Sequence, residues 1–358
     1  MMGGLLSWIE VQDYGPQLVL FRRQYLQLFE PDFLAWPPKS LLRDAGVQQW
    51  LFKNCFDTDT KPHLPSDRYR LRVLKPLLRK VEQAIEDPEQ DEISDDLMSC
   101  LSTLMSSELP SETTAVQQKS YVTFTTIPEN ISREDEEEED PTMTLLERRQ
   151  LISGSLTTGF RTWEAALHLG AYLLSGPGQE LIKGKSILEL GAGTGFLAIL
   201  CAKNLGATHV TTTDGDEGVV EALKENLFLN GLDDERQVLT SVLRWGHGIR
   251  GSWVQDDFEE HPYDTIIGAD ITYDKMASNA LVATIRMLFD LRPTLKVIIA
   301  GAIRNAETFE SFNQACLRNR FNVEEIPFEA KPIREQKALF YAKAVPFKIV
   351  SITAPTNA

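Results

Sequence analysis

Cysteine is scarce. Four occur in 358 residues, at Cys55, Cys100, Cys201 and Cys316, and none forms a Cys-x-x-Cys pair. That spacing excludes a disulfide framework and a zinc ribbon and points to a reducing compartment. None of the five histidines stands in an HExxH or similar ligand spacing, so no metal is expected. There is no Gly-x-Ser-x-Gly elbow, no Walker lysine and no Asn-Pro-Pro-aromatic box. Long apolar runs are also missing. The longest, such as Phe196 to Ala202, fall far short of the ~18 residues of a bilayer span, so no membrane partner is expected. The N-terminus lacks a basic stretch, and Glu10 and Asp13 interrupt it, against a secretory signal. These features predict a cytoplasmic protein. Positive charge is in deficit: 36 Lys and Arg face 52 Asp and Glu, a formal charge of −16. Such a surface repels phosphates, so no direct nucleic-acid partner is expected, and an RNA-modifying role is disfavoured.

The length suits roughly two domains, and the texture changes along the chain. Residues 1–118 read as a mainly helical module that packs or recognises substrate. Leu18, Leu20, Phe21, Tyr25, Leu28 and Phe29 recur at near-helical spacing, as do Leu71, Leu74, Leu77, Leu78 and Val81. Pro31, Pro37, Pro38, Pro62 and Pro65 punctuate these helices. Residues 119–155 read as a junction. Tyr121-Val-Thr-Phe-Thr-Thr is strand-like, and the acidic run at 134–140 is expected to stay extended and solvated by like-charge repulsion.

Residues 156–358 alternate between short apolar strands and helical patterns. Strands are expected at Ser186–Leu190, His209–Thr213, Val238–Leu243, Thr265–Ala269 and Lys296–Ala300, with two more near Phe321–Ile326 and Phe347–Ile352. This pattern predicts an α/β fold: a doubly wound, mostly parallel seven-stranded sheet covered on both faces.

The chemistry is concentrated after three of these strands. Ile187-Leu-Glu-Leu-Gly-Ala-Gly-Thr-Gly-Phe196 runs a strand into Gly191, Gly193 and Gly195. Glycines there permit a tight turn and close approach of a ligand beyond the strand ends. A dinucleotide fingerprint would place its third glycine at position 196, which is Phe196. The G-x-G-x-G spacing instead resembles the glycine loop of class I methyltransferases, and that resemblance implies S-adenosylmethionine. Asp214 ends the next strand, where a carboxylate can accept from both ribose hydroxyls. Asp216 competes for that role and is better placed as a helix cap. Trp245 follows the third strand, either against an adenine face or closing the core, and Trp163 reads on composition alone as amphipathic core. Asp270 and Tyr273 are three residues apart where the fourth strand ends. A carboxylate and a phenol can hold an amine by its N–H groups and leave its lone pair free. The alternative is that Asp270 caps the next helix and Tyr273 packs.

Taken together, Thr158-Gly-Phe-Arg-Thr-Trp163, the glycine loop, Asp214, Arg244-Trp-Gly246 and Ala269-Asp-Ile-Thr-Tyr273 resemble the seven-strand protein-lysine methyltransferase family, whose fourth-strand motif is D-x-x-Y. Leu51-Phe-Lys, Lys61-Pro-His-Leu-Pro, Tyr69 to Val81, Asp95 to Met105 and Ile303 to Phe309 extend the likeness to the branch acting on translation elongation factor 2. The resemblance covers nearly the whole chain, but not the acidic run. It implies S-adenosylmethionine as cofactor and a protein substrate, elongation factor 2; a monomer is expected. It implies cofactor contacts at Trp163, Glu189, Gly191, Ala192, Gly193, Gly195, Asp214, Trp245 and Ala269, with Asp270 and Tyr273 catalytic. A lysine on another protein and a non-catalytic binding module remain the alternatives at this level.

Overall fold

The computed structural model describes residues 4–107, 118–129, 140–148 and 158–355. The chain divides into two compact units, Met1–Thr125 with Arg133–Leu151 and Thr126–Ser132 with Ile152–Ala358.

The first unit is built from helices Gly4–Leu26, Lys39–Leu42, Ala45–Leu51, Asp67–Glu82 and Asp95–Ser106, with a π-helical turn at Phe52–Phe56. The spacing of the apolar residues explains its core. Leu18, Phe21 and Tyr25 share one face of the first helix and are fully buried. They share a core with Leu71, Leu74, Leu77, Leu78 and Val81 of Asp67–Glu82. Pro76 lies inside that helix, where a sequence rule would end it. Strand β1 (Ser120–Thr125) pairs antiparallel with β2 (Thr142–Glu147), Val122 opposite Leu145. Met143, Leu145 and Glu147 of β2 are buried in alternation.

Residues 134–139 of the acidic run lie outside the described residues. Asp140 departs from the expectation of a solvated run. Its side chain is 7% exposed and takes hydrogen bonds from Arg22 at 2.9 Å and from Arg23 at 2.6 and 2.8 Å. Two guanidinium groups outweigh the repulsion that the local charge run suggested.

The second unit holds a seven-stranded sheet in the order β5-β4-β3-β6-β7-β9-β8. These strands are β3 (Ser186–Leu190), β4 (His209–Asp214), β5 (Val238–Val242), β6 (Thr265–Ala269), β7 (Lys296–Ala302), β8 (Asn322–Ile326) and β9 (Phe347–Thr353). Strands β3 to β7 run parallel, and β9 is antiparallel to both β7 and β8. Every residue of β3 is buried, as a central parallel strand covered on both faces requires. Ile187, Leu188 and Leu190 therefore form an apolar run without alternation.

Among the described residues no helix is long and apolar enough to cross a membrane.

Candidate active site

Parallel pairing places the carboxyl ends of β3 to β7 on one edge of the sheet. The chain goes from β3 outward to β4 on one side, and from β6 to β7 on the other. The crevice between β3 and β6 is thus the topological switch point, where open α/β sheets bind ligands.

The loop leaving β3 fills one wall. Gly191, Gly193 and Gly195 have φ of 68°, 55° and 82°, all left-handed. This is the region that L side chains avoid, so the G-x-G-x-G spacing is a backbone requirement. Gly191 is also crowded. A Cβ there would stand 2.6 Å from Ile271 Cγ2 and 3.3 Å from Trp245 Cζ2. Segments after β3, β5 and β6 therefore converge on this glycine. The Ala192 amide is already engaged, donating to the Thr213 carbonyl at 2.9 Å.

Asp214 ends β4 and turns toward the same loop. Its Oδ2 accepts from the Gly193 amide and its Oδ1 from the Asp216 amide, each at 3.1 Å. It does not cap the next helix; Asp216 does, accepting from Gly218 and Val219. Burial pushes the Asp214 carboxyl above its ordinary range, while the amides of Gly193, Asp216 and Gly215 work against that rise.

Glu189 lies in the middle of this wall but is 2% exposed. Its Oε2 accepts from Thr212 Oγ1 at 2.9 Å. Burial pushes its carboxyl up to about 8, only partly offset by Thr212 and the Ala198 amide. Its partners are thus on β4 and on the helix that follows the glycine loop.

The segment before β3 packs on the glycine loop. Thr162 and Thr194 share a buried hydrogen bond of 2.7 Å between hydroxyls. A Cβ on Gly193 would lie 3.2 Å from the Gly159 carbonyl oxygen. Trp163 precedes the helix Glu164–Leu173, and its Nε1 donates to the Thr158 carbonyl at 3.0 Å. The guanidinium carbons of Arg161 and Arg304 lie 4.9 and 5.3 Å from its ring centre. Trp163 thus stands at the crevice side as a cation–π partner, which composition alone did not reveal. Trp245 is partly buried and packs its ring beside Gly191.

Ala269 closes β6, and Asp270 follows with φ of 57°, one of four non-glycine residues with positive φ among those described. Its amide donates to the Ala300 carbonyl at 2.8 Å, and its Oδ1 accepts from the Ala302 amide at 3.3 Å. Its Oδ2 accepts from Arg304 Nη1 at 2.8 Å. The helix after it is capped by Asp274, whose side chain accepts from Ala277. Capping is therefore not the role of Asp270. Tyr273 is 64% exposed, so it does not serve as core packing.

The sequence did not single out Arg161, Glu164 or Arg304. Glu164 accepts from Arg161 at 2.7 Å and lies 3.5 Å from Arg304. Arg304 sits just past β7, and only the sheet order brings it to Asp270. One His/Asp group among the described residues has ligand atoms within 4.8 Å: His209, Asp257 and His261, at the amino end of β4. His209 already engages both nitrogens, with the Arg236 carbonyl at 2.9 Å and Thr211 Oγ1 at 3.1 Å. The two imidazoles stack at 3.7 Å and 11°, so their in-plane lone pairs run side by side instead of converging on one ion.

The strand order, the left-handed glycine loop and the acid closing β4 define a class I, Rossmann-like methyltransferase fold. Comparison with known proteins narrows this class. The lysine methyltransferase family profile matches residues 145–316. The protein-lysine N-methyltransferase EFM3 of Chaetomium thermophilum is 45% identical over 342 residues, covering 96% of this chain and 99% of its own. The human protein-lysine N-methyltransferase EEF2KMT is 28% identical over 353 residues, covering 92% and 96%. The zebrafish (Danio rerio) protein N-lysine methyltransferase METTL21A is 36% identical over 171 residues, covering only 47% of this chain and 71% of its own. The chain belongs to the protein-lysine methyltransferase family, and its methyl donor is S-adenosylmethionine.

The crevice fits that donor. Each Asp214 oxygen keeps acceptor capacity beyond its amide partners, as hydroxyls of a ribose need. Any side chain at Gly191 would fill the space between Ile271 and Trp245.

Proposed function

We propose that this chain methylates a lysine of translation elongation factor 2 in the cytosol, acting as a monomer. The observation that carries this reading is coverage. EFM3 and EEF2KMT match through the helical first unit, whereas the METTL21A match spans only 47% of the chain. The glycine loop, Asp214, Asp270 and Tyr273 all lie in the second unit, so a first unit shared along its length supports a part in selecting the substrate.

In this proposal Asp214 would hold the ribose of the donor, and Gly191 and Gly193 would let it approach the backbone. Trp245 and Trp163 would flank it. Ala192, Gly195 and Ala269 would shape the wall, and Glu189 would support the loop from beneath. S-adenosylmethionine supplies a methyl group made electrophilic by its sulfonium. Asp270 and Tyr273 would receive the target amine, accepting its N–H groups so that the lone pair stays free. Both residues sit where β6 stops, on the loop that also contacts Gly191 through Ile271.

The test is incubation with labelled S-adenosylmethionine and an extract of cells lacking the activity. Elongation factor 2 is expected to be the labelled protein, and mass spectrometry of its fragments then gives the lysine and the number of methyl groups. A labelled protein of another size, with elongation factor 2 unmarked, rejects the substrate.

A further inference from the structure

A carboxylate that receives an amine creates a difficulty. A free lysine has a pKa of about 10.4, and an unpaired carboxylate within contact distance raises it further, by about 1–3 units. Only the neutral amine has a lone pair to attack with. If Asp270 acted alone, it would hold its substrate in the unreactive form.

The structure does not leave Asp270 alone. Arg304 Nη1 lies 2.8 Å from Asp270 Oδ2, and the Asp270 side chain is 10% exposed. Arg304 also lies 3.5 Å from Glu164, which pairs with Arg161 at 2.7 Å. The two acids and two bases of this chain of contacts cancel in charge. Beyond them, Asp274 is exposed and caps its helix, exposed Lys275 pairs with Glu307 at 3.3 Å, and the Tyr273 phenol is exposed.

We propose that Arg304 is a positioning residue for methyl transfer. It cancels the charge of Asp270 while leaving the carboxylate oxygens as acceptors, so that the bound lysine gives its proton to solvent water closer to neutral pH. This rests on the reading above, in which Asp270 faces the target amine. The carboxylate keeps its hydrogen-bonding geometry, because Arg304 and the Ala302 amide fix one oxygen each. Arginine suits the task because its guanidinium stays charged throughout the working range and can stack on Trp163 at the same time.

The experiment is the pH dependence of the initial methylation rate between pH 6.5 and 10, at saturating S-adenosylmethionine and low protein substrate. The substrate is whichever extract protein the wild-type enzyme labels. Arg304→Gln should move the rising limb about one pH unit upward. It should therefore lose about tenfold in rate near pH 7.5 and regain most of it near pH 10. Glu164→Gln should move the limb the other way, because it leaves an excess positive charge beside the amine. A purely structural role for these residues lowers the rate equally at all pH values. That outcome in Arg304→Gln, or limbs shifting in the same direction in both variants, overturns the proposal. Asp270→Asn separates the two levels of inference: an unchanged rate and profile in that variant overturns the amine contact itself.

Discussion

The buried Glu189 makes a prediction that can be followed quantitatively. Its carboxyl is pushed up to about 8 in the folded chain, against an ordinary value of 4.5. Unfolding releases it to water, where it ionises freely. Because the folded-state value is raised, the contribution to stability is complete below about pH 4.5 and is lost as pH climbs toward 8. The full difference corresponds to about 5 kcal/mol, and the portion falling between pH 5 and pH 8 to about 3–4 kcal/mol. Glu189→Gln keeps an acceptor for Thr212 Oγ1, a bond of 2.9 Å in the native chain, but removes the titration. The assay is urea unfolding of both proteins at pH 5, 6, 7 and 8, followed by tryptophan fluorescence. Wild type should lose stability relative to the variant across this range, by about 3–4 kcal/mol in total. Parallel curves, with a constant gap between the proteins at every pH, would refute the claim that Glu189 is buried as a protonated carboxyl.

Three other perturbations test separate parts of the molecule. Asp214→Ala should weaken S-adenosylmethionine binding by about 1.5–3 kcal/mol for each charge-assisted hydrogen bond lost; calorimetry showing native affinity in a folded variant removes the ribose role. Tyr273→Phe deletes an exposed phenol without a packing cost, so turnover should fall while cofactor affinity holds; the opposite pattern would assign Tyr273 to cofactor binding. Asp140→Ala leaves Arg22 and Arg23 without their shared acid and should destabilise the first unit by about 3 kcal/mol in chemical denaturation. The Asp140 carboxyl is held below its ordinary value by both arginines, against the opposing effect of burial. Its stabilisation is therefore present above about pH 4 and is lost on acidification, so the gap between wild type and variant should close below that pH.

Much of the second unit was legible because its signals are local. A left-handed turn demands glycine wherever it occurs, so Gly191, Gly193 and Gly195 announced their loop without knowledge of the fold. Apolar runs bounded by turns marked β3 and β6, and β-branched Val210 and Thr211 to Thr213 marked β4, because central parallel strands are buried on both faces. Asp214 and Asp216 could be told apart by their distance from the helix start. The periodic stripe from Leu71 to Val81 likewise gave the core of its helix before any contact was known.

Other features depended on residues brought together from far along the chain. Arg304 meets Asp270 across 34 positions because β6 and β7 are neighbours in the sheet, and no spacing rule encodes that pairing. Trp163 reads as core from composition and becomes a cation–π platform only when Arg161 and Arg304 lie against it. Asp140 looks like the end of a repelling acidic run until Arg22 and Arg23, more than a hundred residues earlier, fold onto it. The sequence by itself determined which backbone turns and strand ends could form a donor crevice, since those follow from the sterics of single residues. Only the tertiary structure decided how charge is balanced around Asp270, since Coulomb interactions act through space and take no account of chain order.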